Sequence, residues 1–293
     1  MVPLAALLML YRPGTREALL AAVLLGAMAW RWLGTGAGDG FAVFGIAWTL
    51  LLTGSLVLVL GRRSQGAQRP VASGLLTLAL ASSVGAVLMI VTSFSFDQLQ
   101  WLAARHFADQ TRLLVAGLGA ATQNASAATR EAVATFETST LTMATVVSRY
   151  LPGFLLLQSL AALALAWSIY RAVAREPEGA PLPRLRDFRF NDHLIWGPVV
   201  ALVILVLPLL GGGPLAPLGG NLAAFFTGLY LLRGLGVLLA LFGGFSLGAL
   251  GTTLFVLFVV LFLAPVAALV ALAFGVTDTW VDWRTRAAKA RNR

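Results

Sequence analysis

One arginine lies inside an apolar segment that is long enough to cross a membrane. Arg233 stands near the middle of Gly220–Phe242, which reads GNLAAFFTGLYLLRGLGVLLALF. A charge at the centre of a bilayer costs about 2.5–3.5 kcal/mol on insertion scales, so such residues usually face the protein interior or water. The guanidinium could therefore meet a carboxylate of another segment, a freed backbone carbonyl, a lipid phosphate or an anionic ligand. Alternatively, the side chain extends to the cytoplasmic head groups, which is a purely structural role.

The sequence offers few acidic partners for this arginine. The positions three and four residues away on its own helix carry no acid; they are Leu229, Tyr230, Gly236 and Val237. The nearest acids downstream are Asp278 and Asp282, within GVTDTWVDWRTR, and their spacing of four places them on one helix face. We take both as the first candidates for pairing with Arg233. The alternative is a helix end anchored at the membrane surface, with Arg284 beside two interfacial tryptophans.

Asn221 is a further polar residue with two interpretations. It follows Gly219-Gly220 and precedes the apolar segment. Asparagine is a favoured N-cap, so its side chain would accept hydrogen bonds from free amides at the start of that helix. Alternatively, it lines a polar ligand site together with Arg233, which would lie about 18 Å further along at ~1.5 Å per residue.

Other chemistry is poorly represented in the sequence. The two histidines, His106 and His193, lie far apart and neither has a second ligand four residues away, so we expect no metal site. There is no cysteine, and no nucleotide-binding or nucleophile-elbow motif occurs. We therefore expect no cofactor and no enzymatic activity. No acidic residue lies deep in an apolar segment, which argues against a proton-coupled transporter.

The elements that must position these residues are membrane helices. Of the 293 residues, 59% are hydrophobic and only 11% are charged, whereas a typical soluble domain is about a quarter charged. Apolar runs of the length that a bilayer demands recur along the chain. We predict an all-α, polytopic transmembrane bundle of about six to eight segments, in lipid contact and forming one domain over residues 1–293.

The basic residues indicate topology and not nucleic-acid binding. The net charge is +9, but almost all of the arginines lie in short loops or in the C-terminal tail, as the positive-inside rule expects. We therefore predict a multi-pass protein of the bacterial inner membrane. The loops around Arg62 and Arg186 should face the cytoplasm.

The apolar segments define a set of predicted spans. They are Glu17–Leu33, Phe41–Leu60, Val71–Val91, Leu151–Ala172, Leu194–Leu210, Leu222–Phe242 and Leu250–Phe274. The N-terminal apolar part, Val2–Leu10, is too short to span, which suggests a late start codon or a re-entrant or interfacial segment. Residues 93–149 hold acids and amphipathic patterns, so we predict a helical excursion on the periplasmic surface.

These predicted spans give a membrane topology that conflicts with the distribution of basic residues. Three of them separate the basic loop at 175–189 from the basic tail at 276–293, which would put loop and tail on opposite sides. The positive-inside rule places both in the cytoplasm. Either Pro265 breaks the last segment into a hairpin or re-entrant element, or one predicted span does not cross. We favour the break at Pro265.

Four stretches of the chain carry a resemblance to a known family. They are RYLPGFLLLQSLAALALAWSIYR, FNDHLIWGP after a basic loop, NLAAFFTGLYLLRGLGVLL and the ending GVTDTWVDWRTR. They resemble the YybS-like family of multi-spanning bacterial membrane proteins, which often carries Gln where this chain has Arg233. That family is thought to be distantly related to the S components of energy-coupling-factor vitamin transporters and to the shape-determination protein MreD. The resemblance implies a compact helical bundle with a cavity for a small molecule or a partner.

Two functions remain open at this point. The first is a small-molecule-binding or transport component that a membrane partner subunit energises, because the chain has no nucleotide site of its own. The second is a structural or assembly scaffold of the MreD type. A polar site lined by Arg233 or Asn221 would favour the first function, whereas a filled bundle with an exposed apolar groove would favour the second. The candidate ligand, partner or structural residues are Asn221, Arg233, Asp278, Asp282 and Arg284, and the ligand itself is unknown.

Overall fold

The chain folds as a succession of α-helices. The computed structural model describes residues 1–11, 13–34, 39–62, 70–121, 126–207, 215–242 and 264–291. The helices, numbered in chain order, are α1 (Val2–Leu10), α2 (Thr15–Gly34), α3 (Gly40–Gly61), α4 (Pro70–Val91), α5 (Phe96–Ala121), α6 (Ala127–Arg149), α7 (Leu151–Val173), α8 (Trp196–Val206), α9 (Ala216–Phe242), α10 (Ala264–Val281) and α11 (Trp283–Arg291). Two 3₁₀ turns, Leu185–Asp187 and Asp192–Ile195, precede α8.

Six helices of the described residues are long and apolar enough to cross a membrane. They are α2, α3, α4, α7, α9 and α10. The predicted class, a polytopic helical membrane protein, is therefore confirmed. The predicted bounds of the first four agree with the structure to within one helical turn.

The predicted spans Leu194–Leu210 and Leu250–Phe274 differ from the structure. The first corresponds to a shorter apolar helix, Asp192–Val206, which covers about 22 Å at ~1.5 Å per residue, less than the ~30 Å hydrocarbon core. The second lies outside the described residues up to residue 263. α10 begins at Ala264, so Pro265 lies in its first turn, where proline is tolerated.

The described residues form two units, Met1–Pro181 and Leu182–Arg293. The prediction of one domain over 1–293 stays a prediction. In the first unit, α1 packs against α2, α3 and α7. Its side chains are mostly buried, including Leu7 and Leu8. This helix has only 9 residues. Packing against the neighbouring helices of the unit buries most of its apolar side chains.

The start of α3 is tied to α5 through one carboxylate. Asp39 is the N-cap of α3, and its Oδ1 accepts hydrogen bonds from the backbone amides of Phe41 at 3.0 Å and Ala42 at 3.3 Å. Its Oδ2 lies 3.2 Å from Nδ1 of His106 in α5. The ring of His106 also packs against that of Phe41. His106 therefore contacts the capped start of α3.

The predicted excursion at 93–149 is helical, as two long helices. α5 begins with a capping box: the Gln98 amide donates to Ser95 Oγ at 3.2 Å, and the Ser95 amide donates to Gln98 Oε1 at 2.9 Å. Ser126 caps α6, since its Oγ accepts from the Thr129 amide at 3.3 Å. α5 and α6 pack against each other. The caps explain why this mixed sequence is helical, and its periplasmic location stays a prediction.

Candidate functional site

α9 is the central helix of the second unit, with α8 along its first half and α10 along its second half. A Cβ on Gly219 would lie 2.7 Å from the backbone nitrogen of Leu205 in α8. A Cβ on Gly234 would overlap the Ala271 carbonyl of α10 and would lie 2.8 Å from the nitrogen of Gly275. Glycine at position 234 therefore lets the two backbones touch.

Arg233 lies where the start of α8 and the end of α10 meet beside α9, and its side chain is 3% exposed. Its Nε donates to Oδ2 of Asp278 at 3.0 Å, and its Nη2 lies 2.8 Å from Oδ1 of Asp192. Its Cζ also lies 5.2 Å from the centroid of the Phe190 ring. The predicted pairing with Asp278 is confirmed, and Arg233 faces the protein interior as predicted. We call this cluster of Arg233, Asp278, Asp192 and Arg284 the junction.

Asp278 belongs to a membrane helix and not to a basic tail. The sequence placed the end of the span at Phe274 and the tail at 276–293, but α10 continues to Val281. The Asp278 side chain is 0% exposed. The end of the membrane helix was inferred from the first charged residue after the apolar run. That inference fails for α10 because the Arg233 guanidinium on α9 neutralises the Asp278 carboxylate. Asp278 lies in the last turn of α10, so the expectation that no acidic residue lies deep in a span is not contradicted.

Arg284, in the first turn of α11, joins the junction. Its Nη2 donates to the backbone carbonyls of Phe188 at 3.0 Å and Arg233 at 3.1 Å, and it lies 3.9 Å from Oδ2 of Asp278. Burial lowers the pKa of Arg284, and the Asp278 carboxylate acts in the opposite direction. The guanidinium stays charged at neutral pH, since its ordinary pKa exceeds about 12. The predicted site residue Arg284 therefore lies next to Arg233 and Asp278.

Several buried polar atoms of the junction have no hydrogen-bond partner among the described residues. They are Nη1 of Arg233, Oδ1 of Asp278, and Nε and Nη1 of Arg284. The hydroxyls of Tyr230 and Thr279 lie close together without a well-aligned hydrogen bond. In the described chain, no three His, Asp or Glu side chains come together to hold a metal ion. Since most buried polar atoms in proteins are paired, the junction is the candidate site.

Asp282 is not a partner of Arg233, which corrects that part of the prediction. It lies between α10 and α11 with a φ of 45°, so the helix breaks there and the face expected to be shared with Asp278 does not form. Its Oδ2 accepts from Oγ1 of Thr285 at 2.7 Å, and its Oδ1 lies 2.6 Å from Nη2 of Arg189. The hydrogen bond from Thr285, and next the Arg189 guanidinium, hold the pKa of Asp282 below its ordinary value.

Asn221 lies inside α9 and does not cap it, so the N-cap prediction is wrong. The helix begins at Ala216, and Nδ2 of Asn221 donates to the Pro217 carbonyl at 2.8 Å. The chain stays helical through Gly219 because that residue packs against the backbone of α8. Arg233 lies about 18 Å further along the helix at ~1.5 Å per residue. The structure therefore does not bring Asn221 to the junction.

Residues 1–279 match a family described as predicted membrane protein (DUF2232). The chain belongs to this family. It has no significant match among curated proteins or solved structures. The matched region contains Asp192, Arg233 and Asp278. The six membrane helices agree with the family's description.

Three residues in or beside the junction were not predicted from the sequence of this family member. Asp192 and Phe190 contact the Arg233 guanidinium, and Arg189 contacts Asp282. All three lie in RFNDHLIWGP, between the basic loop and α8. An acid directly before an apolar helix, in a segment otherwise rich in arginine, is the signal that could have identified Asp192.

The basic loop and the tail lie on the same side of the membrane. Arg189 of the loop contacts Asp282 at 2.6 Å, and Arg284 of the tail donates to the Phe188 carbonyl. Groups at that distance cannot be separated by a hydrocarbon core ~30 Å thick. The topological conflict would be removed if α8, which is short as described, does not cross. The break favoured at Pro265 stays a prediction, because residues 243–263 lie outside the described part of the chain.

Proposed function

We propose that the protein is a small-molecule-binding component of a transport system in the bacterial inner membrane, and that the junction is its binding site. One observation carries the proposal: buried donors and acceptors from two arginines and one aspartate have no partner among the described residues. Leaving such a group unsatisfied costs about 1–3 kcal/mol, and more when it is charged. A ligand that supplies complementary atoms would recover that free energy on binding.

The charge arrangement supports binding over a purely structural role. A buried ion pair gives little net stability, because the desolvation of both ions opposes their attraction. A polar network that only stabilises a fold is strongest when every donor and acceptor in it has a hydrogen-bond partner. The junction instead combines the Arg233–Asp278 pair with a second arginine, Arg284, whose Nε and Nη1 are unpaired in the described structure.

The resemblance to the YybS-like family supports the same function. That family is thought to be related to S components, which bind a small molecule and depend on partner subunits for energy. No nucleotide-binding motif occurs in the sequence, so the proposal includes a partner that supplies energy. It assigns no catalytic step and no cofactor to this chain.

Native mass spectrometry of the gently purified protein tests the proposal. We expect a retained small molecule in the wild type and its loss in Arg233→Gln/Asp278→Asn, which removes both charges of the buried pair while keeping similar shapes. The matched control is Arg112→Gln, because Arg112 is 71% exposed in α5. A co-purifying subunit without any small molecule would instead favour the MreD-like scaffold.

A further inference from the structure

Asp192 differs from the other members of the junction in its exposure. Its side chain is 63% exposed, whereas those of Arg233 and Asp278 are 3% and 0% exposed. It stands in the 3₁₀ turn that leads into α8, and the turn is capped by Asn191, whose Oδ1 accepts from the His193 amide at 3.1 Å. An exposed carboxylate therefore covers a buried guanidinium, at the outer side of the junction.

The charges of the junction balance only when Asp192 is counted. The buried members are two cations, Arg233 and Arg284, and one anion, Asp278, which leaves one positive charge in excess. An uncompensated buried charge is strongly unfavourable, so the excess requires an anion close by. Asp192 supplies it from the solvent side, with its Oδ1 2.8 Å from Nη2 of Arg233.

The unpaired atoms also define the chemistry of a ligand. Nη1 of Arg233 and both Nε and Nη1 of Arg284 can only donate, and each is buried without a partner in the described chain. Guanidinium groups bind carboxylate and phosphate oxygens through paired hydrogen bonds. The only charged acceptor left unpaired there is Oδ1 of Asp278, which suits a hydroxyl or amine donor on the same ligand.

We propose that the junction binds an oxyanion, a carboxylate or phosphate group, which replaces the Asp192 carboxylate on Arg233. This inference rests on the proposed function and names its ligand class. Asp192 acts as an internal competitor: it neutralises the site when no ligand is bound and moves into solvent when the ligand arrives. The oxyanion belongs either to a small soluble molecule or to a lipid head group, since both offer the same oxygens to the arginines.

Removal of the competitor should strengthen anion binding. A carboxylate tethered next to its cation acts at an effective concentration in the millimolar range or above. Asp192→Asn keeps the size of the side chain and removes its charge, so the half-saturating concentration of an added oxyanion should fall by about tenfold or more. The matched control is Asp109→Asn, because Asp109 is also exposed, at 53%, and pairs with the exposed Arg112 of α5.

The experiment measures the melting temperature of the full chain in a non-ionic detergent as inorganic phosphate is titrated at constant ionic strength. We expect half-saturation about tenfold lower for Asp192→Asn than for the wild type, with Asp109→Asn unchanged. If wild type and Asp192→Asn respond equally to phosphate and also respond equally to phosphatidylglycerol, the proposal is overturned. A parallel titration with mixed micelles that contain phosphatidylglycerol distinguishes the sources: a shift there and not with phosphate assigns the site to a lipid head group.

Phosphate-dependent folding and the charge of a retained ligand also test the anion site. If Asp192→Asn is unfolded without phosphate, added phosphate should restore it, and Asp192→Asn/Arg284→Gln should fold without phosphate because its buried charges balance. Failure of phosphate or phosphatidylglycerol to restore folding would contradict the anion site. A neutral ligand retained in native mass spectra and lost in Arg233→Gln/Asp278→Asn would leave the proposed function standing and refute the anionic ligand class.

Discussion

Each charged side chain of the junction comes from a different part of the second unit. Arg233 belongs to α9, Asp278 to α10, Arg284 to α11, and Asp192 to the turn before α8. The ion pairs therefore hold helices together that are far apart in the chain. Removal of one member of a buried pair leaves the other charged and unpaired, which costs about 3–5 kcal/mol, whereas replacement of both is often close to neutral.

The Arg233–Asp278 pair should show strong coupling in a double-mutant cycle. We expect Arg233→Ala and Asp278→Ala each to destabilise the protein by about 3–5 kcal/mol, because each leaves a buried charge. The double mutant should lose clearly less than the sum. Thermal unfolding in detergent measures all four proteins. Asp282→Ala is the control, since its partner is Arg189: it should add to Arg233→Ala without coupling, and coupling there would contradict the assigned pairs.

Acid should release the contact between the loop and the tail. The pKa of Asp282 is lowered by its hydrogen bond from Thr285 and by Arg189, so the charged form is favoured in the folded state. This contribution is present above the ordinary pKa of an aspartate and is lost as the pH falls through the lowered value. The melting-temperature difference between wild type and Asp282→Asn should therefore be constant near neutral pH and shrink progressively as the pH falls below about 4. A melting-temperature difference that stays unchanged in acid would contradict a stabilising role of the charged Asp282 side chain.

Of the two ion pairs that Arg233 forms, the sequence predicted the one with Asp278 and did not predict the one with Asp192. Asp278 could be found because Arg233 has no acid on its own helix and the cost of burying its charge demands a partner. Asp192 could not be ranked, because its proximity depends on how α8 packs along α9 and not on spacing in the chain. The cap prediction for Asn221 failed for a similar reason, since the packing of Gly219 against α8 keeps the preceding residues helical.

Close helix packing at glycines is what brings the charges into contact. Gly234 of α9 and Gly275 of α10 face each other, and a Cβ on Gly275 would lie 2.9 Å from the nitrogen of Gly234. The sequence predicted most membrane helices correctly because long apolar runs define them locally, whereas it did not predict the caps at Ser95 and Ser126. It did not predict the end of α10, because a buried ion pair there removes the usual effect of a charge on a membrane helix.

Alanine at either glycine of this contact should destabilise the protein. The added methyl of Gly234→Ala or Gly275→Ala would overlap a carbonyl of the facing helix, and overpacking of this kind typically costs about 1–3 kcal/mol. Gly45→Ala in α3 is the control, since a Cβ there meets nothing within 4 Å, and alanine is the better helix former. Unchanged melting temperatures for both facing-glycine variants would show that the two helices do not touch at these residues.

At the scale of the whole molecule, contacts within the second unit decide whether the basic loop and the tail lie on the same side of the membrane. The distribution of charge alone left that question open. The loop and the tail touch through Arg189–Asp282 and Phe188–Arg284, so both face one side of the membrane. The positive-inside rule predicts that this side is the cytoplasm. The sequence could not place the loop and the tail on one side because the contact between them becomes visible only in the structure.

Single-cysteine labelling measures this topology directly, because the natural chain has no cysteine. Cysteines at the exposed residues Arg186 and Arg286 should both react only after the inner membrane is made permeable. A cysteine at Thr129, exposed at the start of α6, should react from the periplasm in intact spheroplasts. Opposite accessibility of residues 186 and 286 would contradict the contact between the loop and the tail.

The central claim is that the junction holds a ligand between Arg233 and Arg284. A crystal structure of the protein, purified in mild detergent and grown from a lipid mesophase at a resolution that shows ordered water, tests it most directly. We predict non-protein density of an oxyanion within hydrogen-bonding distance of Nη1 of Arg233 and of Nε or Nη1 of Arg284, with Asp192 turned towards solvent. A map in which those nitrogens bond only to protein groups or water, with Asp192 still on Arg233, would contradict the claim.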